Sequence, residues 1–406
     1  MIQTDVFVEM ECCQCNHEGE AVCGDDFLFE RVPAENRHLA ALSDGLGSGI
    51  KANLLATMTT TMALKFIRSN MDVLQSAEVI MDTLPVCEIR KISYATFTIF
   101  DLQIGGKSRA IEMDNPPFIH LRNNNDLRVE RSDLISERWT SRKVQVSEIC
   151  VITGDRLIAF SDGVTQAGMS RNDYKFGWRR EGALEFIKRK VENNPDISAR
   201  ELSSEVVMAA KNCNENCKCI DDISCMVIYL RKPRKLRILT GPPFHKESDA
   251  AFAELVREFD GKIILCGGTT AKIISRELNR PIELDIKLFS ESGGLPPPSN
   301  INGIDLVTEG ILTLTDVAKR IEKNDDLEST STSISTSTST TPMASKKMIQ
   351  LFHNSDEIEF IVGTKVNEAH QDPNLPIDLE IRRNIVKRLK NILEEKYRKR
   401  VLIKYF

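Results

Sequence analysis

The chain has 406 residues, 41% hydrophobic and 28% charged, an ordinary globular balance in a chain long enough for two or three domains. A formal net charge of −5 leaves no basic footprint for nucleic acid. No apolar run reaches transmembrane length, and Met1–Met10 holds two acids and no basic residue, so the chain reads as soluble and cytoplasmic, with no signal peptide and no membrane partner.

In chain order, Val6–Glu11 is a strand, followed by the turn Cys23-Gly24-Asp25-Asp26. The apolar run His38–Ser43 has strand length and ends on Asp44-Gly45-Leu46-Gly47-Ser48-Gly49. From there Ala52, Leu55, Ala56, Thr59, Met62, Ala63 and Phe66 recur at i, i+3, i+4, the stripe of a helix. Val73–Leu84 is a second helix, and Ile92–Asp101 and Ser108–Met113 are strands rich in β-branched and aromatic residues. The strand Arg156–Ser161 leads to Asp162-Gly163. Helices follow over Glu181–Val191 and Ala199–Asn212, the latter started by Ser198 as N-cap. Asp221-Asp222 then opens the apolar run Ile223–Leu230. Strands at both ends with helices between them suit an α+β layered sandwich.

Asp44, Asp162 and Asp221 each adjoin a strand-length apolar run, and Asp25 sits in a turn. A carboxylate at the end of a buried strand is rigidly held yet reaches solvent. Several in one cluster repel one another unless cations neutralise them, and the hard ions Mg²⁺ and Mn²⁺ prefer such oxygen ligands. A single Asp-Gly is common in turns. The ordered set is more specific: Gly24-Asp25, Ser43-Asp44-Gly45 opening a helix, Asp114-Asn115-Pro116-Pro117, Ser161-Asp162-Gly163 and Asp221-Asp222-Ile223-Ser224. On these motifs residues 20–231 resemble the PPM-type metal-dependent phosphatases of the bacterial stage II sporulation protein E family.

The resemblance implies a layered β-sandwich flanked by helices, two Mn²⁺ or Mg²⁺ ions, and hydrolysis of phosphoserine or phosphothreonine by a metal-bridging hydroxide without a phospho-enzyme. It implies that Asp44 bridges both ions and that the Gly45 carbonyl binds one. Asp162 and Asp221 complete one shell, Asp25 serves the other ion directly or through water, and Asp222 orients a ligand from behind. The family's Gly-His-Pro-Pro is Asp114-Asn115-Pro116-Pro117 here, so no catalytic role passes to it, and Asn115 or nearby groups are candidates to position the segment. Arg90 and Lys91 are candidates for phosphate contact or plain surface basic residues. The implied partner is a small phosphorylated regulatory protein, such as an anti-sigma-factor antagonist. The rival expectation is a phosphatase-like scaffold controlled by a ligand of the C-terminal domain.

Eleven cysteines in a chain of this size suggest reduced thiols rather than a disulfide framework. Two groups stand out, Cys12/Cys13/Cys15 with His17 and Cys213/Cys217/Cys219. Cys12-x-x-Cys15 has zinc-compatible spacing without a second such pair to complete it, and the two groups could meet beside the aspartates.

The composition changes after Arg231-Lys-Pro-Arg, which divides the chain into domains at 1–233 and 234–406. Leu236–Leu239, Lys262–Leu265, Gly303–Val307 and Ile358–Val362 are short strands, each followed by a glycine turn, and helices run to Leu278, near Thr315–Glu322 and over Leu379–Glu395. This alternation predicts an α/β domain with a mostly parallel sheet. Gly241, Gly267, Gly268, Gly310 and Gly363, with Thr269, Thr270 and Lys365, fall where such a sheet binds a small anionic ligand, and the same glycines also read as ordinary turns. No Walker motif or complete Gly-x-Gly-x-x-Gly is present. The Ser/Thr-rich tract at about 325–345 is expected to be a flexible surface insertion.

Overall fold

The computed structural model describes residues 6–84, 96–140, 142–169, 175–284, 298–323, 341–365, 377–397 and 399–406. The chain forms two compact units, Met1–Lys232 and Pro233–Phe406.

In chain order, the first unit comprises β1 (Phe7–Cys15), β2 (Asp26–Val32), β3 (Arg37–Ser43), α1 (Gly49–Arg68), α2 (Val73–Thr83), β4 (Phe97–Gln103), β5 (Ser108–Met113), β6 (Ile119–Arg122) and β7 (Asn125–Asp126). It continues with β8 (Ser132–Ile135), β9 (Lys143–Ile149), β10 (Arg156–Phe160), α3 (Asp162–Thr165), α4 (Arg179–Asn193), α5 (Ala199–Cys213) and β11 (Ile223–Arg231). One sheet has the order β1-β11-β10-β6-β7 and the other β2-β3-β4-β5-β9-β8, with antiparallel neighbours throughout.

Strand periodicity decides the layers. Leu157 and Ala159 of β10, with Met226, Ile228 and Leu230 of β11, meet Ala40, Leu42, Phe100 and Leu102 of the other sheet in the inter-sheet core. The alternate residues Ile158, Phe160, Cys225 and Val227 face outward against Ile187, Leu202, Val206 and Ala210 of α4 and α5. On the opposite outer face Leu39, Ala41, Phe97 and Ile99 pack on Ala63, Leu64, Ile67, Ala77 and Ile80 of α1 and α2. Central strands covered on both sides need apolar residues on both faces, which is why β10 and β11 are built on continuous apolar runs.

The second unit comprises β12 (Lys235–Thr240), α6 (Asp249–Arg257), β13 (Lys262–Cys266), α7 (Gly268–Leu278), β14 (Glu283–Leu284), β15 (Ser299–Asn300) and β16 (Leu306–Thr308). It ends with α8 (Ile311–Lys323), α9 (Met343–His353), β17 (Glu357–Val362), α10 (Ile377–Glu395) and β18 (Arg400–Tyr405). The sheet order is β14-β15-β16-β13-β12-β17-β18, parallel from β16 to β18 with an antiparallel edge at β14 and β15. Helices α6 and α7 cover one face, and α8, α9 and α10 cover the other. This is a doubly wound sheet whose winding reverses between β12 and β17.

Two expectations change. The strand expected over Gly303–Val307 begins at Leu306, because residues 302 and 303 form a turn. The Ser/Thr-rich insertion stops short of Ser345: α9 begins at Met343, Ala344 and Ser345 are buried, and Ser345 Oγ donates to Asp316 of α8 at 2.6 Å. Residues 324–340 of that tract, and Arg90 and Lys91, lie outside the described residues.

Arg37 at the start of β3 ties the strand that leads to Asp44 to its surroundings. Its guanidinium makes a bidentate pair with Asp101 of β4 at 2.6 and 2.9 Å and donates to the Ile67 carbonyl at the end of α1 at 2.9 Å. Both partners are buried, at 6% and 7% exposure. Removing Asp101 leaves the buried Arg37 guanidinium, among the described residues, only the exposed Glu35 at 3.4 Å as counter-charge, so Asp101→Ala is expected to lower unfolding free energy by about 3–5 kcal/mol in urea melts. A loss under about 1 kcal/mol, the range of solvated surface pairs, would contradict this account.

Candidate active site

Strand direction brings the aspartates together. Chain segments leave β1, β3 and β10 and enter β2 and β11 at one rim of the sandwich: Asp26 pairs with Ser43, Cys15 with Ile223, and Phe160 with Cys225. Asp25, Asp44, Asp162, Asp221 and Asp222 follow or precede these ends by one or two residues.

Each is held differently. Asp44 is fixed through its backbone: its N–H donates to Thr96 Oγ1 at 3.1 Å, and that hydroxyl donates to the Asp44 carbonyl at 2.8 Å. Asp25 is only 2% exposed and accepts from Ser224 Oγ at 2.6 Å. Ser161 also hydrogen-bonds it, so the serines of two motifs face the aspartate of a third. Asp162 opens α3 and accepts from Gln166 Nε2 at 2.6 Å. Asp221 Oδ1 accepts from the Asp222 N–H at 2.9 Å. Asp222 Oδ1 accepts from the His17 N–H at 2.9 Å, while its buried Oδ2 has no partner.

Glycines allow the segments to close up. A Cβ on Gly24 would lie 2.6 Å from Asp222 Oδ2, one on Gly45 would lie 2.4 Å from the carbonyls of both Gly24 and Ala52, and one on Gly163 would lie 2.2 Å from the Asp222 carbonyl. Gly47 and Gly49 take positive φ of 92° and 71°, and so turn the chain from β3 into α1. Asn115 donates to Thr98 Oγ1 at 3.2 Å and to the Leu42 carbonyl at 3.4 Å, which anchors its segment to the sheet beside Asp44.

The electrostatics follow. Burial, reinforced by the charges of Asp25 and Asp162, pushes the Asp44 carboxyl up to about 10. Burial also raises Asp25 to about 7, against the downward pull of the Ser224 and Ser161 hydroxyls. Burial and then Asp162 raise Asp221 to about 6. A hydrogen bond with Asp162 adds to the rise at Asp44. Among the described residues no three His, Cys, Asp or Glu side chains already surround one point at metal-ligating spacing, because these oxygens turn to each other and to backbone N–H groups. The donor set nonetheless fits a hard divalent cation. It consists of carboxylates destabilised by one another, with one buried acceptor oxygen unpartnered.

Among residues the sequence reading did not assign, Ser161 and Ser224 lay inside quoted motifs, while Thr96, Gln14 and Asn53 carried no signal. Gln14 donates to Ser224 Oγ at 3.1 Å, and Asn53 donates to the Cys23 carbonyl at 2.9 Å. The zinc-compatible spacing of Cys12 and Cys15 is overturned by strand parity. Both lie in β1, where residues three apart point to opposite faces: Cys12 packs in the inter-sheet core and Cys15 under α5.

In the second unit Gly241, Gly267, Gly310 and Gly363 follow the carboxyl ends of four adjacent parallel strands, and Gly268 and Thr269 begin α7. Gly363 abuts Gly241, and Gly310 abuts Gly267. The buried Arg382 guanidinium lies against Gly241 at the winding reversal and donates to the Gly363 carbonyl at 3.3 Å.

A family profile for stage II sporulation protein E matches residues 34–231. Over those residues, just under half of the chain, the first unit is similar to that family. The Bacillus subtilis (strain 168) stage II sporulation protein E is 24% identical over 214 residues, 52% of this chain, and the chain spans only 24% of that relative's length. Among solved structures, the PP2C phosphatase domain of the Bacillus subtilis protein with a fragment of its regulatory domain aligns at a TM-score of 0.45 and 19% identity, over 56% of this chain and 62% of that one. A PPM Ser-Thr phosphatase from Mycobacterium smegmatis, in complex with cacodylate, aligns at 0.36 and 15%, over 54% and 97%.

Two outcomes are expected. Gly163→Ala forces its Cβ onto the Asp222 carbonyl and should cost about 1–3 kcal/mol in thermal or urea melts, whereas Gly268→Ala, whose Cβ meets nothing within 4 Å, should be neutral. An equal effect at both positions would remove the close-packing argument. The second concerns pH. Without a cation the folded state keeps protons on Asp25, Asp44 and Asp221 that the unfolded chain releases near about pH 4. Stability from these groups is complete below that pH and is lost as pH rises through the folded values. In EDTA the melting temperature should therefore fall between about pH 6.5 and pH 8, mainly through Asp25 and Asp44, and Asp44→Asn should flatten the slope. A wild-type melting temperature that climbs across this window would reverse the sign of the argument.

Proposed function

We propose that the first unit is a Mn²⁺- or Mg²⁺-dependent hydrolase of phosphoserine and phosphothreonine on a protein substrate. The observation that carries the reading is the convergence of Asp44, Asp162 and Asp221 at one rim, with Asp25 and Asp222 behind them, in an arrangement that leaves carboxylates mutually destabilised.

In this reading Asp44, Asp162, Asp221 and the Gly45 carbonyl would hold the divalent cations, which would supply a water of lowered pKa and neutralisation of phosphate oxygens. Asp25, held by two serine hydroxyls, acts from behind the cluster by orienting water. Asp222 offers its unpartnered Oδ2 in the same way. Thr96 and Asn115 keep the Asp44 segment in place, which matters because misplacement by about 1 Å can cost about a hundredfold in rate.

A protein substrate is supported by what surrounds the cluster. Leu46 and Ile220 flank Asp44 and Asp221 in sequence, and Ile50 and Leu54 lie on the first turns of α1; all four are exposed, Ile50 by 76%. Exposed apolar side chains near a catalytic rim suit contact with a folded partner better than capture of a small polar metabolite. By likeness to the family the partner would be a phosphorylated regulatory protein.

The test is hydrolysis of p-nitrophenyl phosphate and of a phosphoserine peptide by the full chain. Turnover should require Mn²⁺ or Mg²⁺, stop with EDTA, and fall by at least about a hundredfold in Asp44→Asn. Metal-independent turnover, or a variant as active as wild type, would refute the assignment. No turnover from folded protein saturated with Mn²⁺ would favour the scaffold instead.

A further inference from the structure

The two cysteine groups of the sequence do meet, at one pair of atoms. Cys15 Sγ, at the last residue of β1, lies 3.0 Å from Cys219 Sγ in the segment before β11. The residues on either side are already tied: the Glu18 N–H donates to the Cys219 carbonyl at 2.8 Å, and the His17 N–H donates to Asp222 Oδ1 at 2.9 Å. A Lys218–Glu18 ion pair at 3.4 Å joins the same two segments. The thiol pair thus sits inside a framework that holds β1 against the segment carrying Asp221 and Asp222. Cys15 is partly open to solvent, while Cys219 is 2% exposed.

We propose that Cys15 and Cys219 form a reversible disulfide, a modification site that fastens the Asp221–Asp222 segment to the end of β1. A disulfide needs the sulfurs at about 2.05 Å, so they must close by roughly 1 Å, a distance side-chain rotation can supply while the flanking hydrogen bonds stay in place. The oxidant is a low-molecular-weight disulfide. Cys15, the accessible member, attacks one of its sulfurs and displaces one thiol, giving a mixed disulfide. Cys219 then attacks the Cys15 sulfur, displaces the second thiol and completes the bond. The protein gives up two electrons and two protons, and the reagent is reduced to two thiols. Zinc is the competing occupant of a thiol pair, but among the described residues no third ligand joins it.

The bond does not depend on the phosphatase reading, and the test does not use turnover. The full chain is incubated with oxidised glutathione, quenched with acid, alkylated and digested without reductant, and its peptides are analysed by mass spectrometry. The expected product is a peptide linking Cys15 to Cys219, lost with dithiothreitol and absent from Cys15→Ser and from Cys219→Ser. The linked protein should melt at a higher temperature than the reduced one, and Cys15→Ser should show no such shift. Alkylated Cys15 and Cys219 alongside glutathione on the exposed Cys150 or Cys217 would overturn the proposal. So would bound zinc in the purified protein that Cys15→Ser releases, and a linked form that melts no higher than the reduced one would show that the bond needs more strain than argued.

Discussion

The first unit depends on keeping like charges close together. Carboxylates repel, and burial makes each one costlier to ionise, so a cluster of five aspartates at one rim disperses unless something else holds it. What holds it is backbone contact. Gly24, Gly45 and Gly163 bring the Asp25, Asp44, Asp162 and Asp222 segments closer than any side chain would allow. The antiparallel registers of β1, β2, β3, β10 and β11 fix where those segments emerge. The serines of two motifs spend their hydroxyls on Asp25 and its neighbours rather than on solvent. The interior of the sandwich therefore carries the cost of the rim, as expected where a functional site conflicts with local stability.

This division explains what the sequence could reveal. The central strands β3, β10 and β11 are covered on both faces, so each is built on an apolar run, Leu39–Leu42, Leu157–Phe160 and Cys225–Leu230, and the aspartates beyond them stood out. The strands over Asp26–Val32, Ile119–Arg122, Ser132–Ile135 and Lys143–Ile149 have mixed polar and apolar residues or lie near sheet edges. Their pairing partners set their conformation more than their own pattern does. Among the site residues, those inside motifs were legible in identity but not in role. Ser161 and Ser224 stand in those motifs without a role of their own in the sequence, and the fold places both near Asp25. Thr96 and Asn53 were not legible, since their partners lie 52 and 30 residues away in the chain and nothing local marks the contact.

The cysteines show the same limit in another form. A spacing rule asks how far apart two residues are in sequence. In a strand the answer that matters is whether the separation is odd or even. Cys12 and Cys15 satisfy the spacing and fail the parity, so they face opposite layers. Cys15 and Cys219, which no spacing rule connects, are brought into contact because β1 and β11 are antiparallel neighbours and both end at the aspartate rim.

The second unit inverts the balance between pattern and site. Its alternation of short apolar runs with helices made the parallel sheet plain, yet β18, close behind α10, drew no expectation. The topology, not the composition, identifies the place of interest. In a doubly wound sheet the loops on either side of the winding reversal diverge to opposite faces, leaving a gap at the carboxyl ends of the two strands there. Here those strands are β12 and β17, and the gap is partly taken up from within. Gly363 rests on the carbonyls of Gly241 and Pro242, and the Arg382 guanidinium lies against Gly241 where a side chain would otherwise stand. Glycine at both strand ends is thus required by the packing of the reversal itself. Its presence there cannot count as evidence for a ligand. Of the remaining pair, Gly310 is constrained by its close approach to Gly267, and Gly267 by its positive φ of 113°, with the Glu309 carboxylate accepting from Leu312 N–H at the start of α8. Backbone crowding accounts for glycine at Gly241, Gly310 and Gly363, while an added Cβ at Gly267 would meet only ordinary contacts and one at Gly268 nothing within 4 Å, so the crowded positions fix the architecture of the second unit and leave its chemistry to be read from other residues.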